Sequence, residues 1–96
     1  MRVMARIRIP VQAGNQAITD GSLPSVMRET AERWHPEAMY YTTFDGQRTA
    51  YLVFEMSDTT DIPPFAEPLF SKLNAEVEIV PVMDGADLAK GLSQLN

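Results

Sequence analysis

The sequence contains no cysteine, which excludes a disulfide framework and a thiolate metal site. It has no apolar run long enough to span a bilayer. In the segment from Met1 to Arg6, charged residues are interspersed with apolar ones, so the segment lacks the continuous apolar stretch of a signal peptide. These features predict a cytoplasmic protein without a membrane-bound segment.

Basic residues are outnumbered, with 8 Lys and Arg against 13 Asp and Glu, for a net charge of −5. An acidic domain does not attract a phosphate backbone, so we expect no nucleic-acid partner. His35 is the only histidine and has no visible Ser or Cys nucleophile as a partner, which argues against a zinc centre or a catalytic triad. No glycine-rich loop cradles a phosphate. We therefore expect no metal and no cofactor.

A strong β-hairpin signal occupies the centre of the chain. Segments 38–44 and 49–56 are rich in aromatic and β-branched residues, and the Asp45-Gly46 pair between them favours a tight turn. The second segment is apolar on both faces, which is typical of a central strand. Two further strands are predicted at 2–9, from its alternation, and at 76–82, where a proline confines the strand to a sheet edge.

Three helical segments are predicted around these strands. The first begins at Ser22 and stops by His35, because a proline follows. The second covers 62–73, where Pro68 predicts a kink or a broken start. The third is a short C-terminal helix over 84–96, capped by Asp84.

Segment 11–20 is ambiguous by sequence. Asn15 is a candidate cap for a short helical turn through Ile18 that ends at Gly21.

The order β-α-β-β-α-β, in one domain over residues 1–96, favours a ferredoxin-like α+β fold. Right-handed crossovers place the first and third strands in the middle of an antiparallel sheet, with both main helices on one face. The opposite face mixes charged and apolar side chains. Pairing two such faces across a two-fold axis would form a dimeric α/β barrel, so we expect a homodimer.

Six stretches along the chain form a recognisable pattern: Asn15-Gln16-Ala17-Ile18 with Gly21, Pro36 to Tyr41, Gly46-Gln47-Arg48, Ile62 to Phe70, Asn74 to Val77, and Pro81-Val82-Met83. Together they resemble a largely uncharacterised family of small bacterial proteins of about this length. The resemblance covers most of the chain and implies a ferredoxin-like fold of the dimeric α/β-barrel type, without an established activity or catalytic residue.

Charged residues on the neighbouring strands of the open sheet face form the largest candidate site. Arg6 and Arg8 lie beside Glu55, Glu76 and Glu78 in the predicted sheet. One interpretation is ion pairing that fixes strand register or joins two subunits. The other is a cavity in which the arginines hold a small carboxylate or phosphate.

The remaining ligand-binding candidates are His35, Tyr40, Arg48, Tyr51 and Glu67. His35 is suited to proton transfer but also fits an exposed helix end. Glu67 precedes a helix-interior proline, and with Tyr40 and Arg48 it is predicted to line a pocket between helix and hairpin, unless it is simply exposed. Tyrosines are more often core or interface residues than ligand platforms.

Two functions follow from these patterns. The first is a homodimeric barrel that binds a small, anionic molecule or a partner protein without catalysis. The second is a cofactor-independent enzyme of the isomerase, decarboxylase or monooxygenase type. That reading would need an ionisable pair in a closed cavity, with His35, Glu55, Glu67 or an arginine as candidates.

Overall fold

The computed structural model describes residues 1–95 as a four-stranded antiparallel sheet with helices on one face. The elements in chain order are β1 (Arg2–Ile9), α1 (Val11–Thr19), α2 (Ser22–Trp34), β2 (Ala38–Phe44), β3 (Gln47–Glu55), a 3₁₀ turn (Thr59–Asp61), α3 (Ile62–Leu73), β4 (Glu76–Pro81) and α4 (Gly85–Leu92). The strand order is β2-β3-β1-β4, which places β1 and β3 in the middle. The predicted ferredoxin-like α+β arrangement is confirmed.

The hairpin turn has the predicted chemistry. Asp45 and Gly46 have φ angles of 54° and 76°, so both central residues are left-handed, as in the tight turns that match the twist of paired strands. The resulting register puts Tyr40 opposite Tyr51 and Tyr41 opposite Ala50. Alternate residues of β2 therefore face opposite sides of the sheet.

The core lies between the sheet and helices α1, α2 and α3. Phe54 stacks on Phe65 with ring centroids 4.7 Å apart, and Trp34 packs edge-on against Phe65 at 5.6 Å. This aromatic cluster joins β3, α2 and α3. The largest fully buried side chains are Phe54, Phe65, Ile7, Leu52, Leu69, Leu73 and Val3.

The prediction for segment 11–20 is wrong. Instead of a short turn capped by Asn15, α1 starts directly after Pro10 and runs through Thr19, so Asn15 lies inside the helix. Burial of Gly14 and Ala17 against the rest of the fold provides tertiary support that the local sequence does not show. Gly21 does separate the helices, with a φ of 81°.

The ends of α2 and α3 occur where the sequence predicts them, whereas α4 ends at Leu92, before the predicted end at Asn96, which lies outside the described residues. α2 ends before His35 and α3 before Asn74, both of which adopt left-handed backbone angles. α3 is continuous through Pro68, so the predicted break at its start does not occur. Phe65 and Leu69, buried on either side of Pro68, hold the helix against the core.

α4 has the predicted cap but no buried residue. Asp84 accepts a hydrogen bond from the Asp87 backbone at 2.8 Å, and Asp87 accepts one in return from the Asp84 backbone. Leu88 and Leu92 are about half exposed. α4 therefore leaves its apolar side uncovered within one chain.

Candidate functional site

The sheet face opposite the helices, called here the open face, carries the predicted charge cluster. Neighbouring strand residues form rows across it, and one row contains Glu78, Arg6, Tyr51 and Tyr40. Arg6 donates to both carboxylate oxygens of Glu78 at 2.9 Å. The hydrogen bond to Glu78, and then that to Tyr51, raises the pKa of the Arg6 guanidinium.

Arg8 also lies among carboxylates, at ion-pair distances rather than in hydrogen bonds like those of Arg6. Its guanidinium lies 3.3 Å from Glu76, 3.5 Å from Glu78 and 3.8 Å from Asp45. Phe44 lies between the two arginines, with its ring centroid 4.2 Å from the Arg6 guanidinium carbon and 5.6 Å from that of Arg8. Both arginine charges are therefore balanced within the chain.

Glu55 does not join this cluster. It lies at the opposite end of the face, in register with Arg2, and accepts a hydrogen bond from the ammonium group of Met1. Its position follows from the strand register, which places it two rows away from Arg6. The predicted constellation is thus divided into the Arg6–Arg8 cluster and a separate Glu55.

A second site lies on the other side of the sheet, between α2 and the β2–β3 hairpin. Residues of α2 and of the hairpin line an open cavity of about 520 Å³, called here the α2–hairpin pocket. That volume is in the range of small-molecule sites. The pocket is lined by Ile9, Leu23, Pro24, Met27, Arg28, Ala31, Met39, Tyr41, Thr42, Arg48, Thr49 and Ala50.

Arg48 lies across α1 in an arrangement that depends on a glycine. Its Nη2 donates to the Asn15 side chain at 2.9 Å and its Nη1 to the Val11 carbonyl at 3.3 Å. A Cβ on Gly14 would lie 2.5 Å from Nη1, so any larger residue would displace the guanidinium. Both acceptors are neutral, so they leave the positive charge of Arg48 unbalanced.

Arg28 is the second cation of the α2–hairpin pocket and is exposed on α2. Within residues 1–95, neither Arg28 nor Arg48 forms an ion pair with an acidic side chain. No Asp, Glu or His is among the lining residues, and partial burial raises the pKa of the Tyr41 hydroxyl. The pocket thus combines an apolar interior with uncompensated positive charge.

The predicted pocket of Glu67, Tyr40 and Arg48 does not form. Tyr40 lies on the open face and is 71% exposed, whereas the register turns its neighbour Tyr41 to the helix side, where it is still 64% exposed. Glu67 lines a separate groove with α3 and β4 residues, since α3 packs against β4, whereas the α2–hairpin pocket is lined by α2 and hairpin residues. Only Arg48 of the three reaches the α2–hairpin pocket.

His35 is exposed at the C-terminal end of α2 and does not line the α2–hairpin pocket. Sequence reasoning missed Arg28, Tyr41, Gly14 and Asn15 as parts of one site. The glycine inside α1 was the available signal, because a glycine in a helix interior costs stability unless a neighbour needs the space.

Within the part of the chain that the structure describes, no group of three or more metal-ligating side chains is present. No helix in residues 1–95 is long and apolar enough to cross a membrane.

The sheet order and the helix placement define a small ferredoxin-like α+β domain with a pocket between helix and hairpin. Residues 26–96 match the family described as a domain of unknown function, DUF3303, and the chain belongs to that family. The matched region contains Arg28 and the whole hairpin, whereas β1 and α1 precede it. A search of curated proteins gives no match.

Proposed function

We propose that this protein is a homodimeric, cytoplasmic binding protein that holds a small molecule in the α2–hairpin pocket without catalysing a reaction on it. The observation that carries the proposal is the pocket itself, about 520 Å³ in volume and lined mainly by apolar side chains. Covering such a surface with an apolar ligand is favourable by roughly 25 cal/mol per Å² before the cost of association.

The composition of the lining supports binding rather than catalysis. General acid–base catalysis needs a group that titrates near the working pH, and the lining has no Asp, Glu or His. A tyrosine whose pKa is raised is a poor base at neutral pH. The alternative enzyme hypothesis needs an ionisable pair in a closed cavity, drawn from His35, Glu55, Glu67 or an arginine. Glu55 and Glu67 line different grooves and do not supply that pair together.

Filling the pocket provides the test. We expect an apolar fragment such as 1-octanol to perturb the NMR signals of Met27 and Met39 in the wild type. Ala31→Leu should abolish the perturbation, because Ala31 lines the pocket. Glu32→Leu is the matched control, since the neighbouring Glu32 is exposed on the same helix. If no apolar fragment or fatty acid binds to the wild type, or if Ala31→Leu binds equally well, the proposed function is wrong.

The open face supports the dimer. Met4, Tyr51 and Val53 are only partly buried there, and Val80 is 46% exposed. A second copy would cover these residues while the Arg6–Glu78 pairs remain satisfied. Light scattering at micromolar concentration should show a dimer, and Val53→Asp should give monomers or aggregate. Ile18→Asp on α1 is the control and should leave the dimer intact, because Ile18 is 52% exposed on the helix side of the sheet. A monomeric wild type would refute the assembly.

A further inference from the structure

We infer that the ligand of the α2–hairpin pocket is an apolar acid, such as a medium-chain or aromatic carboxylate, whose anionic group is bound by Arg48 and Arg28. This inference rests on the proposed function and adds the chemical class of the ligand. It depends on the contrast between the arginines of the two faces of the sheet.

On the open face, Arg6 and Arg8 have carboxylates at 2.9 Å and 3.3 Å. These carboxylates already balance both charges, so the attraction for a further anion is weak, even though the Nε–H group of each arginine is buried without a hydrogen-bond partner among residues 1–95. Arg48 is held by a carbonyl and a side-chain amide, which fix its orientation without neutralising it. A guanidinium has five N–H donors, and these two hydrogen bonds leave three for a ligand.

The placement of Arg48 is also costly to the helix that accommodates it. Glycine in a helix interior is unfavourable relative to alanine. At Gly14, a side chain would collide with Nη1 of Arg48. The helix thus has the one residue that lets the guanidinium lie against it, which pre-organises the cation at the pocket lining and reduces the entropy lost on binding.

The rest of the pocket fits the apolar part of such a ligand. Met27 and Met39 line it from helix and strand, and methionine side chains adapt to varied apolar shapes. Arg28 is exposed on the same helix, where it can approach a carboxylate that remains near solvent. The protein's net charge of −5 makes a local pair of uncompensated arginines necessary to attract an anion.

The experiment compares octanoate with 1-octanol by calorimetry on the full chain. We expect octanoate to bind at least tenfold more tightly, the effect of one charge-assisted hydrogen bond. Arg28→Gln and Arg48→Gln should each remove most of this preference while 1-octanol binding stays within about twofold. Arg33→Gln is the matched control, because Arg33 is on α2 but outside the pocket.

Gly14→Ala supplies a second variant in which no charge is lost. It should weaken octanoate and leave 1-octanol unchanged, because only the guanidinium is displaced. Equal binding of octanoate and 1-octanol to the wild type would overturn the inference while the proposed function stands. Retention of the preference in either Arg28→Gln or Arg48→Gln would overturn it as well. Failure of both compounds and of the apolar fragments would instead refute the proposed function.

Discussion

Truncation of Phe54 tests whether the helix-covered face of the sheet is the core of the domain. Phe54 is 1% exposed and contacts two aromatic rings, Phe65 at 4.7 Å and Trp34 at 5.7 Å between centroids. Replacing a buried Phe with Ala typically costs about 3–5 kcal/mol, including the cavity. The variant also loses two aromatic pairs, each worth about 0.5–1.5 kcal/mol beyond the contribution of the buried area, which favours the upper half of that range.

We therefore expect Phe54→Ala to lower the free energy of unfolding by about 4 kcal/mol, a large part of the 5–15 kcal/mol typical of a domain. Urea unfolding followed by fluorescence of Trp34, the only tryptophan, and by circular dichroism measures the change. Because Trp34 contacts Phe54, its fluorescence also responds to the cavity left by the substitution. The unfolding midpoints from fluorescence and from circular dichroism must therefore agree.

Tyr51→Ala is the matched control on the same strand. Tyr51 faces the open side and is only partly buried, so its truncation should cost clearly less. Both variants are compared at several protein concentrations, because loss of a dimer would add a concentration-dependent term. If Tyr51→Ala costs as much as Phe54→Ala at equal dimer fraction, the assignment of the core face is refuted.

Three further predictions concern charge, helix packing and pH. Arg6→Met should lower the melting temperature only modestly, because the Glu78 carboxylate that loses this partner is 48% exposed. The double variant with Glu78→Gln should recover part of the loss, and additive melting shifts would contradict the pairing. Gly14→Ala should change the free energy of unfolding by less than about 1 kcal/mol, because the gain in helix propensity offsets the loss of the Arg48 hydrogen bonds. A loss of several kcal/mol in urea unfolding would show that the guanidinium cannot move. Hydrogen bonding to the Asp87 backbone, and then the charge of Arg2, lowers the pKa of Asp84. The pKa of Asp84 in the folded state lies below that in the unfolded state, so its stabilisation of α4 is present above the ordinary pKa of about 3.9 and is lost as the pH falls through the lowered value. The amide NMR shifts of residues 85–92 should change over that pH range. An unchanged pH profile in Asp84→Asn would contradict the prediction.

Much of the fold could be predicted because its signals are local. The alternation of buried and more exposed residues in β1 and the turn at Asp45-Gly46 depend only on neighbouring residues, and the structure shows both as expected. The end of α2 is likewise set by Pro36, whose ring restricts the residue before it. The sheet order then follows from the element order and from the handedness of crossovers.

The extent of α1 and the composition of the candidate site could not be predicted in this way. α1 is helical because Gly14 and Ala17 are buried against other elements, and no local cap marks its start. The α2–hairpin pocket joins Arg28 and Arg48, twenty positions apart in sequence, and excludes Tyr40 because the pairing register turns Tyr41 to that side.

The sequence by itself determined the strands, the turn and the ends of the main helices, because these depend on backbone preferences and on the period of apolar residues. Only the tertiary structure decided which arginines are neutralised. Arg6 and Arg8 find carboxylates across the sheet, whereas Arg48 meets neutral acceptors on α1. The physical reason is that the energy of a charge depends on its neighbours in space, and these are set by strand register and helix packing.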